Sequence, residues 1–105
     1  MGFSKINVDS WAVNAAQNKL YLIFENRAGK EIKIKKVKVK NEVEKITTLN
    51  LILGDGEKNS NPVSLDCPPI DSGESYNFNV IINYCFTEYG EEPTFSSSGT
   101  LIGVA

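Results

Sequence analysis

The chain has 105 residues, of which 41% are hydrophobic and 23% charged, a composition typical of one soluble globular domain over residues 1–105. It contains no histidine, the commonest general base and the commonest metal ligand, and we predict neither an enzyme nor a bound metal or cofactor. The net charge is only −2 and no run of about 20 apolar residues occurs, so a membrane-spanning helix is not predicted.

The opening residues 1–11, MGFSKINVDSW, have neither a basic segment nor an apolar core of the kind that a secretion signal needs. A first strand is predicted over residues 5–13. Trp11 lies near the end of this strand, and we interpret it as a core residue, with ligand stacking as the alternative.

The next segment, KLYLIFEN at residues 19–26, alternates Leu20, Leu22 and Phe24 with Tyr21, Ile23 and Glu25. This pattern indicates a central strand that is covered fully on one face and partly on the other. Residues 26–30 then form a turn in which Gly29 can adopt a left-handed conformation, and the chain returns as a further strand.

That returning strand, EIKIKKVKVK at residues 31–40, alternates apolar residues with lysine and then doubles the lysine at Lys35 and Lys36. The apolar residues before and after the doubling have opposite parity, so a regular strand would send them to opposite faces. One extra residue at this point restores them to a single face, which predicts a β-bulge; two shorter strands on either side of this point are the alternative. The lysines would then cover the solvent face and protect the strand as a sheet edge.

Further strands are predicted at residues 45–53 and 63–65, with turns at 54–62 and 67–75. The first turn, GDGEKNSNP, lacks the ligand order of a calcium loop and is interpreted as a hairpin turn. Cys67 follows the second strand beside Pro68 and Pro69, and Cys85 lies near the end of the next strand. We predict a disulfide between Cys67 and Cys85, with two reduced, buried thiols as the alternative.

The clearest strand is SYNFNVIINY at residues 75–84, in which the alternate residues Tyr76, Phe78, Val80, Ile82 and Tyr84 form a core face. A turn at 89–93 and a last strand at 95–104 follow. About seven mainly antiparallel strands in about 100 residues predict an all-β, immunoglobulin-like β-sandwich. The antibody family itself is excluded, because Trp11 precedes both cysteines instead of lying between them.

The charges are unevenly distributed along the chain. Residues 1–52 hold ten basic and five acidic side chains, whereas residues 53–105 hold one basic and eight acidic side chains. The asymmetry either serves head-to-tail contact between copies or places strands of opposite charge side by side in one sheet.

The lysine segment is the one candidate binding feature. Lys33, Lys35, Lys36, Lys38 and Lys40 are candidate contacts for an anion or an acidic partner, and a solvated strand face is the alternative. Nucleic acid is disfavoured, because no aromatic residue or arginine interrupts the lysines to stack on bases or to bind them in a bidentate manner.

Several stretches together resemble the soluble β-domain of archaeal type IV pilin-like and flagellin-like secreted proteins. They are the early tryptophan, NKLYLIFENRAGKEIKIKKVKV at residues 18–39, IDSGESYNFNVIINY at 70–84 and the ending SSGTLIGVA at 97–105. The resemblance covers most of the chain, and the Gly-Thr-Leu-x-Gly ending is among its more specific parts. The apolar N-terminal helix and the basic processing site of that family are missing from this sequence.

The resemblance implies a non-enzymatic structural or adhesive domain, outside the cell or on its surface, that faces outward from a filament. Its implied partners are copies of itself or other filament subunits, and membrane contact would occur only through a segment missing from this chain. A second hypothesis makes the chain a binding module whose lysine-rich strand holds an anionic polymer or an acidic partner.

Overall fold

The computed structural model describes residues 5–90 and 92–105, which form an all-β sandwich of two packed antiparallel sheets. Residues 1–4, which belong to the opening segment, and Glu91, which belongs to the turn at 89–93, lie outside the described residues. The predicted fold class is confirmed. The strands are β1 (Ile6–Asn14), β2 (Lys19–Asn26), β3 (Ile32–Lys40), β4 (Glu44–Leu53), β5 (Val63–Asp66), β6 (Ser75–Phe86) and β7 (Thr94–Val104).

The seven strands are divided between a three-stranded and a four-stranded sheet. The first has the order β1-β2-β5, and the second has the order β4-β3-β6-β7. This is immunoglobulin-like connectivity in which the fourth strand pairs with the third and not with the fifth. β2 is therefore a central strand, as its sequence predicts, and β3 and β6 are the central strands of the larger sheet.

The predicted bulge in β3 is present, because the register with both neighbouring strands shifts between Ile34 and Lys36. Ile32, Ile34, Val37 and Val39 are all buried as a result. The prediction that the lysines protect a sheet edge is wrong. β3 hydrogen-bonds to β4 on one side and to β6 on the other, so it has no edge to protect.

The core lies between the sheets and is built from alternate residues of each strand. Those of β6 are the ones predicted, and Phe78, Val80 and Ile82 have no exposed surface. The inward residues of β2, which include Leu20, Leu22 and Phe24, face them from the other sheet.

Trp11 packs against this core as predicted, and it is partly buried. Its indole N–H donates to the Tyr76 hydroxyl of β6 at 3.0 Å, so this bond joins the two sheets. Gly103 of β7 lies against the hydroxyl end of the Tyr76 side chain, where a Cβ atom would stand 2.5 Å from the hydroxyl oxygen. Glycine is the residue that leaves room for the Trp11–Tyr76 contact.

The turns at 26–31 and 54–62 connect different sheets, so the predicted hairpin at 54–62 is wrong. Two buried asparagine side chains fix these crossings. The Asn26 amide donates to the carbonyl oxygens of Lys30, Leu53 and Gly54 at 2.8, 3.0 and 3.0 Å. Asn59 accepts from the Phe24 N–H at 2.6 Å and so takes the place of a paired strand beside β2.

The predicted disulfide is absent, because Cys67 and Cys85 are both free and buried in the structure. Cys67 belongs to the core cluster between the sheets. Cys85 lies between Tyr84 and Phe86, both of which face the core, so its side chain points to the opposite face of β6. A bond between the two sulfur atoms would have to pass through the four-stranded sheet.

Candidate functional site

The outer surface of the four-stranded sheet is the candidate site, and we call it the open face. It consists of the side chains of β3, β4, β6 and β7 that point away from the three-stranded sheet. β3 contributes Lys33, Lys36, Lys38 and Lys40, of which Lys36 is exposed and the others are half-buried. Among the described residues, no helix or strand covers this face.

The lysines of β3 are brought together by ordinary strand geometry. Lys36, Lys38 and Lys40 are alternate residues of a continuous strand segment, so their Cα atoms follow one another at about 6.8 Å. Their aliphatic stems lie along the sheet while the ammonium groups remain near water. The bulge brings Lys35 to the same surface, where it lines a shallow depression beside Lys36.

Uncharged hydrogen-bonding side chains surround the lysines. By register, Lys36 lies between Thr48 of β4 and Asn83 of β6, and Lys40 lies beside Asn79. The next strand outward, β7, adds a row of small hydroxyl side chains: Ser96 and Thr100 lie opposite Asn83 and Asn79, and Ser98 lies between them opposite Ile81. The central row differs, because Lys38 lies between Ile46 and Ile81.

Two shallow depressions on the open face place these groups around common spaces. The first, of about 380 Å³, is lined by Lys35, Lys36, Thr48, Asn83 and Thr94. The second, of about 230 Å³, is lined by Lys40, Asn79, Ile81 and residues 98–100, together with Val80. Each depression therefore combines lysine with amide and hydroxyl groups, which can pair with a charged group and with neutral oxygens of one ligand.

Acidic side chains are scarce on the open face. The described strand residues of this face include one carboxylate, Glu44, and its oxygen lies 4.0 Å from the Lys38 ammonium nitrogen. Such an exposed pair is weak, and it leaves the face strongly positive. The face also carries no aromatic side chain in the described part of the chain, which agrees with the sequence pattern of β3.

The opposite charges of the two halves of the chain meet elsewhere. Lys19 pairs with Asp66 and Lys30 pairs with Glu88, which in both cases joins a base of the first half to an acid of the second. These hydrogen bonds hold the pKa values of Asp66 and Glu88 below their ordinary values. The charge asymmetry is therefore used in part within the molecule, while Lys36, Lys38 and Lys40 of β3 share the open face.

The other predicted site residues do not join the lysines in a chemical constellation. Cys67 is buried in the core, where desolvation raises the pKa of its thiol, and Cys85 is buried between Lys33 and Thr94 in the ladder. The described residues contain no group of three side chains suited to hold a metal ion. Their one helical element, a 3-10 turn at Thr87–Tyr89, is too short to span a bilayer.

Sequence reasoning identified the lysines but missed the polar groups that surround them. The asparagines at 77, 79 and 83 were visible as the outward residues of β6, and the serines at 96 and 98 alternate in the same way in β7. The sequence alone did not show that β3, β6 and β7 are neighbours, because strand order is set by contacts between residues distant in the sequence.

Comparisons with known proteins add no information about this site. No protein-family model matches the chain, and neither a curated protein nor a solved structure matches it.

Proposed function

We propose that this protein is a non-catalytic binding module that holds an anionic polysaccharide on the open face of its four-stranded sheet. The observation that carries the proposal is the position of β3. Five lysines lie on a central strand, where edge protection cannot account for them, and four of them project by strand alternation onto one uncovered surface.

The chemistry of the surface favours a polymer of charged sugars. Ammonium groups at regular spacing attract carboxylate or sulfate groups, and release of counterions strengthens binding to a polyanion over binding to a single anion. The amide and hydroxyl groups of Asn79, Asn83 and Ser98 can hydrogen-bond to sugar hydroxyls beside those charges. Single-stranded nucleic acid fits less well, since the described residues of this face offer no ring on which a base could stack.

The test is a salt titration of binding to heparin, with single-stranded DNA as the comparison ligand. In the triple variant Lys36→Gln, Lys38→Gln, Lys40→Gln, we expect the slope of log K against log salt to fall by about 2–3, because roughly 0.7–0.9 counterion is released per contact. The triple variant Lys5→Gln, Lys45→Gln, Lys58→Gln changes the net charge by the same amount away from the open face and should keep the slope.

Equal loss of affinity in both triple variants would mean that net charge, and not the open face, governs binding, and the proposal would fail. It would also fail if the natural protein bound neither polymer at low salt. Tighter binding to single-stranded DNA than to heparin would assign the face to nucleic acid instead.

As a second candidate we propose a structural or adhesive domain at the cell surface. The resemblance to pilin-like proteins supports it, as does the β-sandwich that this resemblance implies. Its test is the sequence of the natural gene upstream of this chain. A basic processing site followed by about 20 apolar residues would support a filament subunit, and its absence would contradict one.

A further inference from the structure

The four outer strands of the two sheets differ in how their free edges are protected. β1 is interrupted by a register shift between Val8 and Ser10, and β5 is only four residues long. β4 begins with the charged residues Glu44 and Lys45 and lies against β5. These are the usual devices that keep an edge from pairing with another chain.

β7 has none of these devices. It runs for eleven residues, TFSSSGTLIGV, without a charged residue, a proline or a register shift. Its last two outward side chains are also apolar and exposed, Ile102 at 65% and Val104 at 69%.

The backbone groups on the free edge of β7 can be identified from the end of the strand. Ala105 donates its N–H to Glu74 and accepts from Gly73, so its backbone groups point toward the β6 side. Because these directions alternate along a strand, the groups of the odd-numbered residues of β7 also face β6. The even-numbered residues, from Thr94 to Val104, direct their N–H and C=O groups outward, and no backbone partner for them exists among the described residues.

We propose that the free edge of β7 pairs with β7 of a second copy of this chain, in antiparallel orientation about a two-fold axis. A two-fold axis brings identical segments together, so a charged edge would repel itself, whereas this neutral edge does not. With Gly99 opposite its counterpart, the six outward residues pair completely: Thr94 with Val104, Ser96 with Ile102 and Ser98 with Thr100. Two four-stranded sheets then join into one of eight strands.

This register also covers the exposed apolar side chains. Val104 would face Thr94 and Ile102 would face Ser96 of the second copy, so each apolar side chain would gain a cross-strand neighbour, and the Val104–Thr94 pair would join two β-branched residues, which favour adjacent strands. The pairing leaves the β3 lysines uncovered, because it extends the open face sideways and does not stack upon it. The proposal is therefore independent of polysaccharide binding.

Sedimentation equilibrium combined with residue-resolved hydrogen exchange tests the pairing. We expect dimers with a Kd below about 1 mM. On going from dilute to concentrated protein, the amides of Ser96, Ser98 and Thr100 should gain protection on the order of tenfold, by mass action, while those of Ser97 and Leu101 stay protected throughout. Nonspecific association between copies would not protect alternate amides of β7 selectively.

The variant Ser98→Lys places like charges near the two-fold axis and should weaken the dimer at least tenfold, whereas Asn77→Lys adds the same charge on the interior strand β6 and should not. Thr100→Pro removes an outward N–H without touching the β6 ladder, so it provides a second test if Ser98→Lys does not fold. A monomer up to roughly 1 mM, a dimer unchanged by both edge variants, or protection without alternation would each overturn the proposal.

Discussion

Replacement of Asn26 tests whether the crossings between the sheets depend on one buried amide. Asn26 ends the inward row of β2 and has no exposed surface. Its side-chain nitrogen donates to three carbonyl oxygens, which belong to the crossing after β2 and to the crossing after β4. Its side-chain oxygen accepts from the Ala28 N–H at 2.9 Å. An Asn26→Ala variant would leave all of these groups without their partner.

The magnitude follows from which of these groups can reach water. The contact with the Leu53 carbonyl is fully buried, and an unsatisfied group there costs about 1–3 kcal/mol. The contacts with Lys30 and Gly54 are partly buried, so water can replace part of the roughly 1 kcal/mol that each contributes. We expect a total loss of about 3 kcal/mol, which would lower Tm by on the order of 10–15 °C in a domain of this size.

The assay is urea unfolding followed by circular dichroism, with Asn77→Ala as the matched control. Asn77 is exposed on β6, so its replacement should change the free energy of unfolding by less than about 0.5 kcal/mol. An Asn26→Ala variant as stable as Asn77→Ala would refute the reasoning that the amide organises the crossings. A changed slope of the unfolding curve with an unchanged midpoint would do so as well, since it would place the effect on the unfolded chain.

Three further predictions concern the core, the cysteines and the ion pairs. Gly103→Ala should displace the Tyr76 ring and break its hydrogen bond to Trp11, which should lower the free energy of unfolding by about 1–3 kcal/mol. The fluorescence emission of the one tryptophan should shift as well. Unchanged emission and stability would contradict the close approach of Gly103 to Tyr76. In the absence of reductant, both cysteines should react with a thiol reagent once the protein is unfolded, and neither should react in the folded protein. Recovery of fewer than two thiols from the unfolded protein would show that a disulfide forms. The hydrogen bond from Lys19 lowers the pKa of Asp66, so its contribution to stability is present above the unfolded pKa and is lost as the pH falls through the folded value. Lys19→Gln should raise the Asp66 pKa in an NMR titration, and an unmoved midpoint would mean that the pair does not persist in solution.

The faces of the strands were predictable from the sequence, and their neighbours were not. Period-two alternation placed Phe78 and Ile82 in the core, and the doubled lysine at Lys35 and Lys36 revealed the bulge. Both signals are local, because each depends on residues within one strand. The position of β3 between β4 and β6 depends on pairing across the chain, and the edge interpretation of the lysines failed for that reason.

The two cysteines illustrate a signal that was present but not used. Cys85 has the parity of Asn83, which was already assigned to the outward face of β6, whereas Cys67 lies in a connection next to the core. Strand alternation alone therefore argues against a bond between them. The buried roles of Asn26 and Asn59 had no such signal, since asparagine is also the ordinary residue of an exposed turn.

The lysines of β3 contribute little that the fold requires. Lys38 and Lys40 are side-chain neighbours on one strand. Ile81 and Asn79 opposite them in β6 are uncharged, and Glu44 of β4, opposite Lys40 and 4.0 Å from the Lys38 ammonium nitrogen, compensates their charge only in part. A threonine at either position would suit a central strand at least as well and would remove the repulsion between like charges. Solubility needs charge at exposed positions, but it does not need one sign gathered on one face. Natural proteins keep a locally unfavourable arrangement where activity depends on it. Under the proposed function, a ligand that carries the opposite charge along its length would account for the five lysines on this strand.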